Sequence, residues 1–223
     1  MRKNKNVAID GNAGSGKSTV GRLLADRIQF EFIDSGLLYR AFAYIVLKKC
    51  AGKSNREEWV NIIQNIEFDL KGRVIYIDGK DVNEIELRKK EVDDLVSPVS
   101  TVKEIREIAT EKLRKIADSK SVVMVGRDIG SVVLKNAFLK IYLTAPIEVR
   151  AKRRHKELLE KRVNIAFEEV LDNLKNRDVM DSNRDISPLT IPHDAYVIDT
   201  NYLSPKKVVD KIIQFFKGRE YVL

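Results

Sequence analysis

The chain has 223 residues, of which 43% are hydrophobic and 33% charged, a balance that predicts a globular protein with a sizeable core. No apolar run is long enough to cross a bilayer, no secretion signal is visible, and Cys50 as the only cysteine excludes an internal disulfide. The net charge of +8 includes no long run of like charges and no arginine–aromatic interleaving, so we expect a cytoplasmic protein without a membrane or nucleic-acid partner.

The stretch GNAGSGKS, from Gly11 to Ser18, fits the pattern G-x-x-x-x-G-K-[ST] of a phosphate-binding loop. An apolar strand is predicted before it, at residues 7–10, and an amphipathic helix after it, beginning near Lys17. The glycines allow backbone N–H groups to point at a phosphate, and the helix N-terminus adds positive potential. Lys17 would reach the β- and γ-phosphates, and the Ser18 hydroxyl would bind Mg²⁺. The predicted ATP site consists of Gly11, Asn12, Ala13, Gly14, Ser15, Gly16, Lys17, Ser18 and Thr19.

A second strand is predicted at residues 30–33, with Asp34 or Ser35 as the N-cap of a helix over residues 37–47. Tyr39 and Arg40 then lie at the start of that helix, next to the carboxyl end of a strand. Ligands bind at those ends in open α/β sheets. A polar connection over residues 50–56 and a short helix over residues 57–63 follow.

The pattern changes in the next segment. Strand-like runs at 66–70 and 74–77, with tight turns around them and a further short strand at 81–82, predict an antiparallel meander. We interpret residues 62–103 as an insertion, with a helix over residues 87–96 that Ser97-Pro98 ends.

The remaining strands resume the strand–helix alternation that builds a parallel sheet. A charged helix has a buried stripe formed by Val102, Ile105, Ala109, Leu113 and Ile116, with Arg106 off that stripe. Strands are predicted at residues 121–125, 140–144 and 195–199, and a last helix at 205–217, packed through Val208, Ile212 and Phe215.

The most cationic part lies between the last two strands. A helix over residues 148–162 carries Arg150, Arg153 and Arg154, and a second helix runs over residues 167–183. Arg177, Asp181 and Arg184 fall on one stripe of that second helix if it continues far enough. A charged stripe is often only a solvated face, but this segment could fold over the phosphate-binding loop, so we favour ligand contact.

Phosphoryl transfer needs two aligned reactants, Mg²⁺ and positive groups around the oxygens where charge develops. The chain offers Lys17, a hydroxyl for the metal and arginines at several strand ends. A switch GTPase would carry the base-reading pattern N-K-x-D, but Asn4-Lys5-Asn6-Val7 lacks the aspartate. A kinase of a small molecule is therefore the leading hypothesis.

Four segments together resemble the bacterial cytidylate kinase family of P-loop nucleoside monophosphate (NMP) kinases. They are Gly11–Thr19, Asp34-Ser35-Gly36 followed by Tyr39-Arg40, Gly126-Arg127-Asp128-Ile129-Gly130, and Arg177-Asp178 followed by Asp181 and Arg184. The second and third segments, in this order and spacing, are more specific than the phosphate-binding loop alone. The meander is also similar to that family's insertion, so the resemblance spans nearly the whole chain.

The resemblance implies one α/β P-loop kinase domain over residues 1–223, with a five-stranded parallel sheet flanked by helices. It adds a small antiparallel NMP-binding insertion at about 62–103 and a helical lid at about 148–185. The implied reaction is transfer of the ATP γ-phosphate to CMP or dCMP with the help of Mg²⁺. A kinase of another small acceptor and an RNA-stimulated ATPase stay open as alternatives. A monomer is the default expectation, because nothing resembles a coiled-coil seam.

Residue roles also follow from the resemblance. Arg40 and Arg127 would grip the acceptor phosphate. The residues implied to face the cytosine are Ser35, Arg106, Asp128 and Arg184, and those implied to lie around the sugar are Ser97, Arg177 and Asp181. Tyr39 is included in the predicted CMP site. The candidate catalytic residues are Lys17, Arg127, Arg177 and Arg153.

Two points stay open at this level. Asp128 at a strand end is by itself a candidate Mg²⁺-organising carboxylate, whereas the resemblance implies a contact to the cytosine amino group. The family also tends to carry arginines at the positions of Met180 and Ser182. Their role is therefore vacant or passes to an arginine of the preceding helix, namely Arg150, Arg153 or Arg154.

Overall fold

The fold is built on a parallel sheet whose five strands alternate with helices along the chain. A computed structural model describes residues 4–50, 55–71, 74–160 and 162–220. The strands of the large sheet are β1 (Val7–Gly11), β2 (Glu31–Asp34), β6 (Val122–Val125), β7 (Leu139–Thr144) and β8 (Tyr196–Asp199). Their order is β2-β6-β1-β7-β8, and every pairing is parallel. The predicted five-stranded parallel sheet is confirmed.

Helices cover both faces of this sheet. The helices of the described chain are α1 (Lys17–Ile28), α2 (Ser35–Cys50), α3 (Arg56–Gln64), α4 (Glu84–Leu87), α5 (Lys90–Thr101), α6 (Lys103–Ser119), α7 (Ile147–Glu160), α8 (Phe167–Ser182) and α9 (Pro205–Glu220). A short π-helical segment, Ile129–Val133, follows β6. On one face α1 packs against α9, with Leu24 and Ile212 in a shared core. On the other face α2 and α6 contribute Phe42 and Leu113 to a second core. The strands β1, β6 and β7 are buried almost throughout, as the continuous apolar strands of a helix-covered parallel sheet are.

The predicted meander forms a separate three-stranded antiparallel sheet. Its strands are β3 (Phe68–Lys71), β4 (Val74–Ile77) and β5 (Lys80–Val82), in that order. The predicted turn around Gly72 lies outside the described residues. Phe68 packs edge-on against Phe42 of α2 with ring centroids 4.8 Å apart, so this sheet extends the α2 core. The small sheet is thereby anchored against the middle of α2.

The prediction that Ser97-Pro98 ends a helix over residues 87–96 is wrong. Leu87 is the last residue of α4, and α5 begins later and continues through Pro98 to Thr101. Proline removes one hydrogen bond and strains the preceding turn, but only about one helical turn follows it here. Val96 and Val99 are buried on either side of it, and this burial holds the last turn on the core. Tertiary packing therefore outweighs the local preference.

Two smaller differences concern buried stripes. Phe216, not the predicted Phe215, is the more buried aromatic residue of α9, since Phe215 stacks on Tyr196 at 4.1 Å between ring centroids. Arg106, placed off the buried stripe of α6, is only 3% exposed. The reason is an ion pair described below. No helix among the described residues is both long and apolar enough to cross a membrane.

Candidate active site

A cleft of about 750 Å³ opens where β1, β2 and β6 end, between the phosphate-binding loop and the helices around it. Most of the predicted site residues line this one cleft. These are Ala13, Gly14, Ser15, Gly16, Lys17, Ser18, Thr19, Ser35, Tyr39, Arg40, Arg106, Arg127, Asp128, Arg153, Arg177, Asp181 and Arg184. The fold thus brings together side chains that lie more than a hundred residues apart in the sequence.

Three predicted residues do not line the cleft. Gly11 and Asn12 lie beneath the loop, where their carbonyl oxygens accept hydrogen bonds from a lysine described below. Ser97 on α5 is half-buried, and Ser100, one turn later, lines the cleft in its place. The Ser100 hydroxyl donates to the Ser97 carbonyl oxygen at 2.9 Å.

The phosphate-binding loop joins β1 to α1 and needs its glycines for steric reasons. Gly11 has φ 144°, and a Cβ atom there would lie 2.0 Å from the Leu143 carbonyl oxygen of β7. Gly14 has φ 74°, and its Cβ would lie 3.0 Å from Cβ of Arg150. L-residues with side chains rarely adopt such backbone angles. The tight curl of this loop therefore depends on glycine at these positions.

Lys17 is 8% exposed and lies across the loop. Its Nζ donates to the carbonyl oxygens of Gly11 and Asn12, at 2.7 Å each. Burial, followed by the nearby Arg127 guanidinium, lowers the pKa of Lys17 well below its usual range. Arg127 is thus close enough to act electrostatically on the phosphate-binding lysine. The loop lysine and an arginine that follows β6 face the same space.

Ser18 is hydrogen-bonded to Asp34, a residue that was not predicted to belong to the site. The Ser18 hydroxyl donates to Oδ2 of Asp34 at 2.8 Å, and Asp34 also lines the cleft. Oδ1 of Asp34 accepts from the Gly36 backbone N–H at 3.0 Å, as an N-cap of α2 does. The capping role was predicted, and the position of Asp34 at a strand end was the available signal for a second role. A hydroxyl beside a carboxylate is the kind of oxygen pair that Mg²⁺ prefers.

At another part of the cleft, Arg106 and Asp128 form a buried ion pair. Their side chains are 3% and 5% exposed, and Nη2 of Arg106 lies 2.5 Å from Oδ2 of Asp128. Nη1 of Arg106 donates to the Ser100 carbonyl oxygen at 2.9 Å, and its guanidinium lies 5.4 Å from the centre of the Tyr39 ring. The Ser35 hydroxyl donates to the Val125 carbonyl oxygen at 2.9 Å. Charged groups and hydrogen-bonding groups therefore lie around this part of the cleft.

Removing one partner of this ion pair leaves the other charge buried. We expect Arg106→Leu to lower the free energy of unfolding by about 3–5 kcal/mol, because Asp128 would lose its buried counter-ion. Urea denaturation followed by circular dichroism measures this loss. The exposed pair of Lys115 with Glu111 on the same helix is the control, since Lys115→Leu should change the stability by less than about 1 kcal/mol. A similar small loss for Arg106→Leu would contradict the buried-pair interpretation.

Each arginine implied to grip the acceptor phosphate is held by an acidic residue. Arg40 on α2 is 8% exposed, donates to the Leu87 carbonyl oxygen at 3.0 Å and pairs with Asp93 of α5. Nε of Arg127 lies 2.8 Å from Oδ2 of Asp181 on α8. Arg40 is therefore oriented by the segment after the small sheet, and Arg127 by α8.

Asp181 joins the cationic groups at this end of the cleft. Oδ1 of Asp181 lies 3.6 Å from Nη1 of Arg184, which follows the end of α8 at Ser182. Burial alone would raise the pKa of Asp181, but the guanidiniums of Arg127 and Arg184 lower it overall. Asp181 therefore stays an ionised carboxylate, paired with both Arg127 and Arg184.

Arg177 is a cleft arginine that no described carboxylate pairs with. Within the described part of the chain it makes no hydrogen bond or ion pair, although Arg127, Asp181 and Arg40 act on it electrostatically. Burial, followed by repulsion from Arg127, lowers the pKa of Arg177 to about 10, so it remains charged at neutral pH. A guanidinium held among other guanidiniums, with no bound partner, is arranged to receive an anion.

The arginines of α7 differ in role. Arg150 is buried and is held by the carbonyl oxygens of Ala145 and Ala13 and by Asp178, so it does not line the cleft. Arg153 donates to the hydroxyl and the carbonyl oxygen of Thr200, at 3.0 and 2.7 Å, and lines the cleft. Arg154 also lines it.

Met180 and Ser182, the two positions where the family tends to carry arginine, lie outside the cleft. Met180 is 45% exposed, Ser182 is also exposed, and neither lines the cleft. Of the three candidates to take over the missing charges, Arg153 and Arg154 line the cleft and Arg150 does not.

A nucleotide-sized cleft that joins a phosphate-binding loop to clustered arginines, at the ends of parallel strands, defines a P-loop kinase. Solved structures share this fold. A gluconokinase from Sinorhizobium meliloti is 13% identical with a TM-score of 0.50, covering 100% of this chain and 97% of that one. An uncharacterized protein from Eubacterium ventriosum is 13% identical with a TM-score of 0.53, covering 96% and 99%.

Sequence relatives identify the family within this class. The cytidylate kinase family model matches residues 7–218. A cytidylate kinase from Caldanaerobacter subterraneus subsp. tengcongensis is 46% identical over 208 residues, which are 93% of this chain and 92% of the relative. One from Alkaliphilus oremlandii is 43% identical over 95% of this chain and 97% of the relative. The chain belongs to the cytidylate kinase family, as the resemblance implied.

Proposed function

We propose that the protein transfers the γ-phosphate of ATP to CMP or dCMP and releases ADP with CDP or dCDP. Family membership supports the substrates. The observation that carries the mechanism is the single cleft in which the unpaired Arg177, together with Arg40 and Arg127, faces the phosphate-binding loop and Lys17. Such an arrangement holds two anionic nucleotides end to end, which is what in-line phosphoryl transfer requires.

The acceptor phosphate binds among Arg40, Arg127 and Arg177. These guanidiniums offset its charge, so an acceptor oxygen can approach the γ-phosphorus of ATP. Lys17 leaves the carbonyl oxygens of its own loop and binds the β- and γ-phosphates, where negative charge develops during transfer. Arg153 covers the same region from α7. The proton on the acceptor is not a major obstacle, because a phosphate at neutral pH is largely ionised.

Mg²⁺ is the proposed cofactor of the bound ATP. The Ser18 hydroxyl, with Asp34 accepting its proton in a hydrogen bond, supplies an oxygen ligand of the kind this ion takes. The described residues contain no group of three or more histidine, cysteine, aspartate or glutamate side chains able to hold a metal alone. This fits an ion that keeps waters and takes its other ligands from substrate phosphates. An Mg²⁺ ion held by Ser18 would offset the negative charge of the ATP phosphates.

The base site is proposed at the Arg106–Asp128 pair. Asp128 is held by Arg106 instead of by Lys17 or Ser18, which supports a base contact over the alternative of organising Mg²⁺. A carboxylate accepts from the cytosine amino group, the Arg106 guanidinium donates to its ring acceptors, and Ser35 lies nearby. Uracil presents a carbonyl oxygen where cytosine has the amino group, so it would leave Asp128 facing an acceptor. Asp181, Arg184 and the segment around Ser97 and Ser100 are proposed to lie around the sugar.

The domain assignment follows the same division. We propose one kinase domain, with residues 62–103 as the NMP-binding insertion and residues 148–185 as the lid. The insertion supplies Asp93 and the Leu87 carbonyl oxygen to Arg40, and the lid supplies Arg153, Arg177 and Asp181. The enzyme is proposed to act as a cytoplasmic monomer. Gel filtration measures the oligomeric state directly.

A coupled assay of ADP release with CMP, dCMP, UMP, AMP and GMP tests the proposed function. We expect CMP and dCMP to be used best. Preference for AMP or GMP would contradict the acceptor assignment and favour a kinase of another acceptor. Turnover stimulated by RNA and not by CMP would favour an ATPase instead.

Arg153→Ala tests the role of α7. We expect kcat to fall by about tenfold or more, since one positive group near the transferring phosphate is lost while Lys17 and Arg177 remain. Arg162, on the same cationic segment beyond the end of α7, does not line the cleft, and Arg162→Ala should leave turnover unchanged. Steady-state kinetics at saturating ATP and CMP measures both variants. Equal kcat for wild type and Arg153→Ala would remove Arg153 from the catalytic residues.

A further inference from the structure

Asp10 is a buried carboxylate that is not among the proposed nucleotide contacts. It directly precedes Gly11, the last residue of β1, and is 1% exposed. Its Oδ1 accepts from the Ile129 backbone N–H at 2.8 Å, and its Oδ2 accepts from the Gly130 backbone N–H at 2.7 Å. Both oxygens are thus used to hold one short stretch of backbone, 119 and 120 residues away in the chain.

The stretch that Asp10 holds carries two of the proposed acceptor contacts. Arg127 and Asp128 directly precede Ile129, where the backbone turns from β6 into the π-helical segment. The first N–H groups of such a segment have no partner within it, and the carboxylate of Asp10 supplies one for each. A second bond ties the same stretch to β1, because the Gly126 N–H donates to the Ile9 carbonyl oxygen at 3.0 Å.

The position is also tightly enclosed. A Cβ atom at Gly130 would lie 3.2 Å from Oδ2 of Asp10 and 3.2 Å from Cδ of Lys140, so the carboxylate and this backbone are in direct contact. Burial raises the pKa of Asp10 to about 6, while the N–H groups of Gly130 and Ile129 lower it. At neutral pH the group is therefore mainly a carboxylate and accepts through both oxygens. Keeping a buried charge at this place is costly unless those bonds are made.

We propose that Asp10 is a positioning residue for the acceptor nucleotide, because its carboxylate holds the backbone after Asp128 and so sets Arg127 and Asp128 against the phosphate-binding loop. The same residue lies one position before that loop, so a single side chain couples the donor and acceptor halves of the cleft. The proposal rests on the proposed function, since it assigns Arg127 and Asp128 to the acceptor. Asp10 itself contacts neither nucleotide.

Asp10→Asn tests this role, because asparagine keeps the shape but replaces one acceptor oxygen with a donor that faces an N–H. We expect the Kd for CMP, measured by calorimetry, and the KM for CMP to rise by about 10- to 100-fold, the scale of a displacement of about 1 Å in positioned groups. The Kd for ATP should change by less than about threefold, since the phosphate-binding loop keeps its own contacts.

Asn6→Ala is the matched control, at the opposite end of β1. The Asn6 side chain also holds distant backbone, donating to the Ala117 carbonyl oxygen at 3.2 Å and accepting from the Val122 N–H at 3.1 Å. It should lower the melting temperature as Asp10→Asn does, yet leave both nucleotide affinities unchanged. A purely structural Asp10 would behave in the same way as this control.

Three results would overturn the inference. They are an unchanged CMP affinity in folded Asp10→Asn, a loss that affects ATP as much as CMP, and an equal CMP loss in Asn6→Ala. If Asp10→Asn does not fold, Asp10→Ser, which is small and keeps one acceptor, is measured in its place with the same criteria. Wild-type turnover of CMP is recorded alongside, so that failure of the proposed function is seen separately as absent turnover in the unmodified protein.

Discussion

Lys17→Ala is expected to lower kcat by about 10³-fold or more while the protein stays folded, because a positive group aimed at developing phosphate charge is lost. Lys17 is the side chain that the loop holds over its own carbonyl oxygens, and no other lysine lines the cleft among the described residues. The loss should appear in kcat more than in the KM for CMP, since the residues proposed to bind the acceptor phosphate are arginines.

Lys120→Ala serves as the control for that variant. Lys120 pairs with Glu31 at the start of β2, away from the cleft, so its removal should leave kcat within about twofold. Circular dichroism and the melting temperature show whether each variant is folded, and single-turnover kinetics isolates the transfer step. Turnover of Lys17→Ala within about tenfold of wild type would contradict the role assigned to Lys17.

Arg127→Ala should mainly damage use of the acceptor. We expect kcat/KM for CMP to fall by about 10²- to 10³-fold, the usual cost of removing one member of a buried charge contact with a ligand. Arg127 also pairs with Asp181 and lies near Lys17, so its removal leaves Asp181 with Arg184 alone at 3.6 Å. The pKa of Asp181 should therefore rise, since Arg127 lowers it in the intact protein.

The comparison for Arg127→Ala is Arg219→Ala. Arg219 on α9 donates to the Phe138 carbonyl oxygen at 2.8 Å and does not line the cleft, so both nucleotides should bind its variant normally. Steady-state kinetics with each substrate varied in turn separates the two effects. An Arg127→Ala enzyme whose KM for ATP rises as much as its KM for CMP would place Arg127 on the donor side.

Much of this protein is readable from local sequence. The phosphate-binding loop is recognisable because its chemistry needs consecutive residues, from Gly11 to Ser18, between a strand and a helix. The parallel sheet is recognisable because apolar runs alternate with amphipathic helices at regular spacing. Order and spacing in two further segments were enough to name the family. In each case the physical cause acts between residues that are close in the chain, so a local sequence pattern reveals the feature.

Other features depend on contacts between residues that are far apart in the chain, and no local pattern encodes those. Arg106 is buried because Asp128 lies opposite it, and α5 continues through Pro98 because Val96 and Val99 are buried on the core. By its sequence Asp10 is only the last residue of a predicted strand, whereas in the fold its carboxylate accepts hydrogen bonds from the backbone of Ile129 and Gly130. The sequence by itself therefore determined the fold class and the family, and most of the site residues that it predicted line the cleft. Only the tertiary structure decided which charges pair, that Arg177 has no carboxylate partner among the described residues, and which backbone the Asp10 carboxylate holds, because pairing energies depend on distance in space.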